Sequence, residues 1–156
     1  MASKLDTSIA IDLATEEDIP RLADFLGLLL AQEAEFVADQ EKQRRALHAV
    51  VSDASIGRIY VVRESADLVA MVSLLYTVSS AEGGKAAWLE DLVVRPDRRG
   101  RGIGRTLLGH VAAQARAHGV LRITLLTDPD NKRAHALYRS LGFEFSAMRP
   151  MRLKFG

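Results

Sequence analysis

The run Val93-Val94-Arg95-Pro96-Asp97-Arg98-Arg99-Gly100-Arg101-Gly102-Ile103-Gly104 constrains the fold of this chain more than any other stretch. Residues 88–94 are an apolar run that reads as a strand, and residues 105–118 read as a helix. Between them, glycines stand at the alternate positions 100, 102 and 104. Lacking a Cβ, glycine lets the backbone take positive φ and approach a ligand closely. The first N–H groups of the following helix have no intrahelical acceptor and carry partial positive charge. Strand, Gly-rich loop and helix N-terminus together predict an anion site, with a phosphate as the usual occupant. Two phosphate loops are excluded. A Walker loop requires Lys and then Ser or Thr after its last glycine, whereas Gly104 is followed by Arg105 and Thr106. A dinucleotide fingerprint requires glycine where Arg105 stands, in a βαβ unit that opens the fold, and this loop falls in the second half of the chain.

The composition limits the partners. A chain of 156 residues with 48% hydrophobic and 26% charged residues suits one globular domain over residues 1–156, with 1–7 expected as a disordered tail. A net charge of +1 supplies no bulk field toward nucleic acid or membranes, so neither is an expected partner. The positive charge is local instead, on Arg95, Arg98, Arg99, Arg101 and Arg105. Absence of Cys removes disulfides, thiolate metal sites and a cysteine nucleophile, and leaves the cytoplasm as the default setting. His48, His110, His118 and His135 show no metal-ligand spacing, so no metal is expected. No apolar run approaches the ~20 residues of a membrane span.

The remaining segments build an α/β pattern. Ile9, Ile11 and Leu13 alternate as a first strand. Thr15 precedes the acidic Glu16, Glu17 and Asp18, a helix start, and Ile19, Leu22, Phe25, Leu26 and Leu29 keep helical spacing. Residues 39–52 predict a second helix, residues 59–62 a strand, and residues 68–78 its hairpin partner. Residues 79–85, with Gly83 and Gly84, predict a flexible connection to the strand at 88–94. The helix after the loop carries Ile103, Leu107, Val111 and Ala115 on one stripe and stops at Gly119. A strand at Ile123, Leu125 and Leu126 follows, which implies a right-handed parallel crossover. Asp130 or Asn131 can cap a last helix, and residues 143–148 and 151–155 read as two closing strands. The order β-α-α-β-β-β-α-β-α-β-β predicts a single-domain fold around a mixed central sheet of six to seven strands.

Two motifs carry a family resemblance. Arg99-x-x-Gly102-x-Gly104 resembles the acyl-CoA pyrophosphate loop of the N-acetyltransferase (GNAT) superfamily. Asn131-x-x-Ala134-x-x-Leu137-Tyr138-x-x-Leu141-Gly142-Phe143 resembles that superfamily's motif after the fifth strand, and the order of elements matches over nearly the whole chain. The resemblance implies a GNAT-like fold and acetyl-CoA as acyl donor. The amides of Gly100, Arg101, Gly102, Ile103, Gly104 and Arg105 would then wrap the pyrophosphate, with charge from Arg99 and Arg101. The backbone of Leu92, Val93 and Val94 would hold the pantetheine arm, and the Val93 N–H suits the thioester oxygen. Tyr138 takes the place of the family's general acid, against the alternative of a core aromatic. Asn131 either contacts the cofactor or simply caps its helix.

Glu90 stands in Trp88-Leu89-Glu90-Asp91-Leu92-Val93-Val94, which resembles the matching strand of the diamine acetyltransferase branch. There the Glu is the proposed base that deprotonates the acceptor, directly or through water. The alternative is a structural ion pair. Strand alternation puts Trp88, Glu90, Leu92 and Val94 on one face and Leu89, Asp91 and Val93 on the other, where Asp91 is expected to hold structure. Desolvation on so apolar a strand is expected to raise the Glu90 pKa towards neutrality. Glu33, Glu35 and Asp39 can attract a cationic amine or can be a solvated acidic loop, and Tyr76 can line the acceptor pocket or pack. The resulting expectation is transfer of the acetyl group to a primary amine of a small molecule, a polyamine or an amino-acid-like compound, by direct attack in a ternary complex. Alternatives are a protein N-terminus or aminoglycoside as acceptor, a non-catalytic acyl-CoA sensor, or a nucleic-acid binder, the last opposed by the missing stacking aromatics. The terminal strands can pair across a two-fold, which allows a homodimer.

Overall fold

The computed structural model describes residues 9–33 and 35–156. The tail expected at 1–7 lies outside them. The chain divides into two compact units, residues 1–126 and residues 127–156.

The first unit is a sheet between helices. Its strands are β1 (Ile9–Leu13), β2 (Gly57–Glu64), β3 (Asp67–Ser79), β4 (Gly84–Val94) and β5 (Ile123–Leu125), in that spatial order. The first three pairings are antiparallel, and β4 pairs with β5 in parallel. The helices are α1 (Ile19–Gln32), α2 (Gln40–Val51) and α3 (Ile103–Ala117). One face of the sheet presents Ile59, Val61, Met71 and Val93 to Leu22, Phe25 and Leu26 of α1 and Leu47 of α2. The other face receives α3, whose Leu107, Leu108 and Val111 are buried; the rings of Tyr60 and His110 meet edge-on there at 6.0 Å. Burial on both faces explains why residues 68–74 of β3 read as a continuous apolar run rather than an alternating one.

The entry into α1 is tied to β2 by charge. Residues Glu16–Asp18 form one 3-10 turn, and the Asp18 carboxylate accepts from the Thr15 N–H at 2.8 Å. Arg63 of β2 grips the same carboxylate with both Nη atoms, at 2.9 and 2.7 Å, and reaches Asp12 of β1 with Nε at 3.1 Å. This bidentate geometry holds the Asp18 carboxyl below the usual carboxylate pKa, Arg63's hydrogen bonds being the largest cause.

In the second unit, α4 (Lys132–Ser140) starts at Asn131, whose Oδ1 accepts from the Ala134 N–H at 3.1 Å. It closes at Gly142 with φ +95, and the Phe143 N–H returns to the Tyr138 carbonyl at 3.1 Å. Phe145 stands edge-on to His135 at 5.0 Å and lies under the Arg139 guanidinium at 4.9 Å.

Two expectations about the fold are corrected. Residues 79–85 are no flexible connection: β3 runs to Ser79, β4 begins at Gly84, and a tight turn closes between them with the Gly83 N–H on the Ser79 carbonyl at 2.9 Å. The local Gly-Gly signal marked the turn, and the ladder extended both strands around it. Residues 143–148 and 151–155 form no strands, so the sheet has five strands among the described residues, not six to seven. Alternation there supplies a face for packing, but a strand also requires a hydrogen-bonded neighbour, which no local pattern encodes. No described helix is long and apolar enough to cross a membrane.

Replacing Arg63 by Met should cost roughly 2–3 kcal/mol at neutral pH, less than the ~3–5 kcal/mol of a fully buried pair because Arg63 keeps some water contact. The folded pKa of Asp18 lies below its ordinary 3.8, so this stabilisation is present above that value and lost as pH falls through the depressed one. Urea unfolding of both proteins should therefore show the gap closing from pH 6 towards the acid limit.

Candidate active site

The loop between β4 and α3 has the shape of an anion cradle. Gly100 and Gly102 both take φ +78, in the left-handed region that favours glycine. Among the described residues no backbone hydrogen bond is donated by residues 100–105; the first into α3 runs from Thr106 N–H to the Gly102 carbonyl at 3.0 Å. A continuous row of free amides therefore surrounds the helix N-terminus. The arginines divide into two groups. Arg95 is held by Asp97 at 2.6 Å, and Arg98 by Glu64 at 2.5 Å and Asp97 at 3.1 Å. Arg99 donates through Nε to the Val94 carbonyl at 2.9 Å. Arg101 and Arg105 make no ion pair or hydrogen bond among the described residues, so their charge is available to an anion.

Upstream, β4 has an open edge. Its pairing with β5 covers only Ala87, Trp88 and Leu89. Beyond Leu89 no described strand lies on that side, so the backbone of Leu92, Val93 and Val94 has no strand neighbour there among the described residues.

The strand bulges at the same place. Met71 opposes Val93 and Ser73 opposes Glu90, so Val72 alone spans both Asp91 and Leu92. Asp91 takes φ +58, a left-handed conformation uncommon outside glycine and most tolerated by Asn and Asp. The bulge corrects the expected alternation. Val93 falls in phase with Met71 and Ser73 and hence with Glu90, not with Leu89. It also redistributes burial. Glu90 is exposed, contrary to the expectation of a desolvated carboxylate, while Asp91 is half-buried. Its pKa is pushed up to about 6, first by that burial and then by the charges of Glu90 and Glu33. No cation or hydrogen-bond donor compensates Asp91 among the described residues. Asp91, expected only to hold structure, is the group whose proton affinity the fold has tuned. The bulge that singles it out has no signature in the sequence beyond two adjacent acids in an apolar strand.

The other expected residues separate. Glu33 caps the C-terminal end of α1 and is close enough to act on Asp91. Glu35 lies exposed in the turn that follows. Tyr76 is three pairing positions from Ser73 and thus on the face opposite Glu90. Its hydroxyl accepts from Arg58 Nε at 3.2 Å, and Lys85 Nζ sits 4.7 Å from its ring centroid. The structure does not bring Tyr76 to the carboxylates. In the second unit, Asn131 spends its carbonyl on the cap of α4. Tyr138 meets Phe143 edge-on at 5.9 Å; its hydroxyl has no hydrogen-bond partner among the described residues, and burial pushes its pKa above the usual tyrosine value. The phenol therefore keeps its proton at any physiological pH.

The profile of the acetyltransferase (GNAT) family matches residues 25–143, well over half of the chain. The chain belongs to this family. It is 39% identical over 69 residues to the thialysine N-epsilon-acetyltransferase of Bos taurus, a match over 44% of this chain and 41% of that protein. The chain thus spans less than half the length of that curated relative. Among solved structures, an integron cassette protein from the mobile metagenome of Cole Harbour Salt Marsh superposes with a TM-score of 0.82 at 26% identity, covering 97% of this chain and 93% of that one. A predicted acetyltransferase from Clostridium acetobutylicum, solved with acetyl-CoA, shares the fold with a TM-score of 0.75 at 15% identity, covering 94% of this chain and 96% of that one. The family uses acetyl-CoA as acyl donor. The loop of this GNAT chain fits such a ligand by its own geometry, through free amides, left-handed glycines and two uncommitted guanidinium groups.

The Asp91 pKa has a consequence for stability. A carboxyl raised from 3.8 to about 6 makes folding less favourable as pH rises through that window. Asn fits the left-handed φ and carries no charge. Asp91→Asn should therefore gain on the order of 2–3 kcal/mol over the unsubstituted protein at pH 8 and little at pH 4, by urea unfolding. An equal difference at both pH values would contradict the assignment.

Proposed function

We propose that this protein transfers the acetyl group of acetyl-CoA to a primary amine of a small molecule, a polyamine or an amino-acid-like compound, by direct attack in a ternary complex. The observation that carries the reading is the open edge of β4, which starts at a bulge bearing unpaired carboxylates and runs into a loop of free amides. On this reading the amides of residues 100–105, with Arg99, Arg101 and Arg105, hold the diphosphate; Arg99 also fixes the end of β4. The Asn131 side-chain NH2 adds a contact to the same ligand. The backbone of Leu92, Val93 and Val94 aligns the pantetheine arm, and the Val93 N–H steadies the carbonyl oxygen as charge grows on it.

An alkyl amine has a pKa of about 10.4 and is almost wholly protonated at neutral pH. Glu33, Glu90 and Asp91, with Glu35 at the margin, attract that cation, and the Glu90–Asp91 pair takes its proton. A carboxyl near 6 is a stronger base than an ordinary one and is still ionised at neutral pH, as a general base must be. As the C–N bond forms and the C–S bond breaks, Tyr138 gives its proton to the departing sulfur. With no Cys in the chain, no thiol is available to carry the acetyl group on the way. The relative named for thialysine acetylation supports a small amino-acid-like acceptor, and the Cys-free composition supports a cytoplasmic setting.

A panel of polyamines, amino acids, aminoglycosides and N-terminal peptides, read by CoA release, tests the reading; turnover with small amines is expected, and none with any acceptor would leave an acyl-CoA sensor. Tyr138→Phe should lower kcat about 10²-fold with acetyl-CoA affinity unchanged. Equal rates would make it a core aromatic. Acetyl-CoA should raise Tm by binding only the folded state, and Gly102→Asp should abolish the shift through a strained φ and a misplaced charge. Glu90→Gln and Asp91→Asn, measured separately, should each lower kcat/KM at neutral pH and recover partly as rising pH frees amine in solution; full activity in both would remove the carboxylates from proton transfer.

A further inference from the structure

The loop of free amides has little backbone to hold it. Residues 100–105 donate no backbone hydrogen bond among the described residues, and a Cβ placed on Gly102 would meet nothing within 4 Å. The last backbone tie to a neighbouring strand comes earlier, from the Arg95 N–H to the Val69 carbonyl of β3 at 2.8 Å. A segment with so few bonds of its own takes its orientation from whatever fastens the turn before it.

That turn, the 3-10 segment Pro96–Arg98, is fastened by side chains. Two of the bonds are local: Arg95 reaches Asp97, two residues on, and Arg99 reaches the Val94 carbonyl, five residues back. They shape the turn without tying it to another element. Arg98 does tie it. Its Nη1 donates to Asp97 at 3.1 Å, while its Nε donates at 2.5 Å to Glu64, 34 residues earlier in the chain. Between Arg95 and the start of α3, this is the one polar bond to a different strand among the described residues. Glu64 is itself well placed to anchor, because it ends β2 and pairs with Asp67 across a two-residue turn. The Glu64 and Arg98 side chains are only 22% and 26% exposed, so the pair is less screened than one on the open surface.

By charge alone, a carboxylate here is unfavourable. It lowers the positive potential of a loop shaped for an anion, and only its hold on the turn offsets that cost. We propose that Glu64 is a positioning residue for acetyl-CoA: through Arg98 it fixes the turn at 96–98 and so aims the amides of residues 100–105 at the diphosphate. This role rests on the loop being the diphosphate site, as proposed above.

Charge and geometry predict opposite signs. Glu64→Gln removes a negative charge and Glu64→Lys reverses it, so Coulomb attraction alone would tighten acetyl-CoA binding in that order. Loss of the tie should instead weaken it, by about tenfold for Gln and further for Lys, in calorimetric titration. Arg98→Gln should weaken binding by a similar factor, and Glu64→Gln/Arg98→Gln no further than either alone, since the two side chains act as one unit. Circular dichroism of unliganded Glu64→Gln at the titration temperature should match the unsubstituted protein, so that affinity is read on folded chains. Affinity that holds or rises in Glu64→Gln overturns the proposal and leaves the loop as the diphosphate site. Losses that multiply in the double variant also overturn it. An unsubstituted chain that does not bind acetyl-CoA overturns the assignment of the loop, and this role with it.

Discussion

The parallel pairing of β4 with β5 stops at Leu89, and the chemistry available to this fold follows from that stop. A strand buried on both sides would spend its amides and carbonyls on neighbours. Here β3 keeps its hold on one side of β4, while the bulge at Asp91 turns the strand and the other side opens. The open edge continues into the Gly100–Gly102 turn, where the left-handed conformation aims amides outward instead of folding them into α3. Backbone, not side chains, thus supplies most of the polar surface along this path.

The same bulge sets the electrostatics. A left-handed non-glycine residue and a desolvated carboxyl flanked by two further acids are each unfavourable for folding, and Asp91 combines them. The contrast with Asp18 is instructive. Both carboxyls lose part of their hydration, but Asp18 receives a bidentate guanidinium and its pKa falls, whereas Asp91, partly desolvated and facing only the charges of Glu90 and Glu33, has its pKa raised. Asp18 fastens α1 to β2. Asp91 holds its proton more tightly than an ordinary carboxyl beside the open edge. The arginines of the loop divide along the same lines. Arg95 and Arg98 are engaged by carboxylates of the turn and of β2, while Arg101 and Arg105 make no ion pair among the described residues.

Much of this was legible from residues alone, because it is local. The spacing of Ile19, Leu22, Phe25 and Leu26 announces α1, Gly119 and Gly142 announce helix ends, and the strand, Gly-rich loop and helix at 88–118 announce an anion cradle. The two motifs at 99–104 and 131–143 sufficed for the family, since each depends on short-range geometry: positive φ, free amides, a capped helix. What could not be read was everything decided by a partner strand. Register with Met71 and Ser73 creates the bulge, flips Val93 into phase with Glu90, and sends Tyr76 to the opposite face. Residues 143–156 show the converse, a pattern fit for a strand with no strand to join. Local sequence determines which conformations are cheap, but burial and charge environment belong to the sum of neighbours. Only the tertiary structure decided that Glu90 would lie exposed and Asp91 partly buried among negative charges.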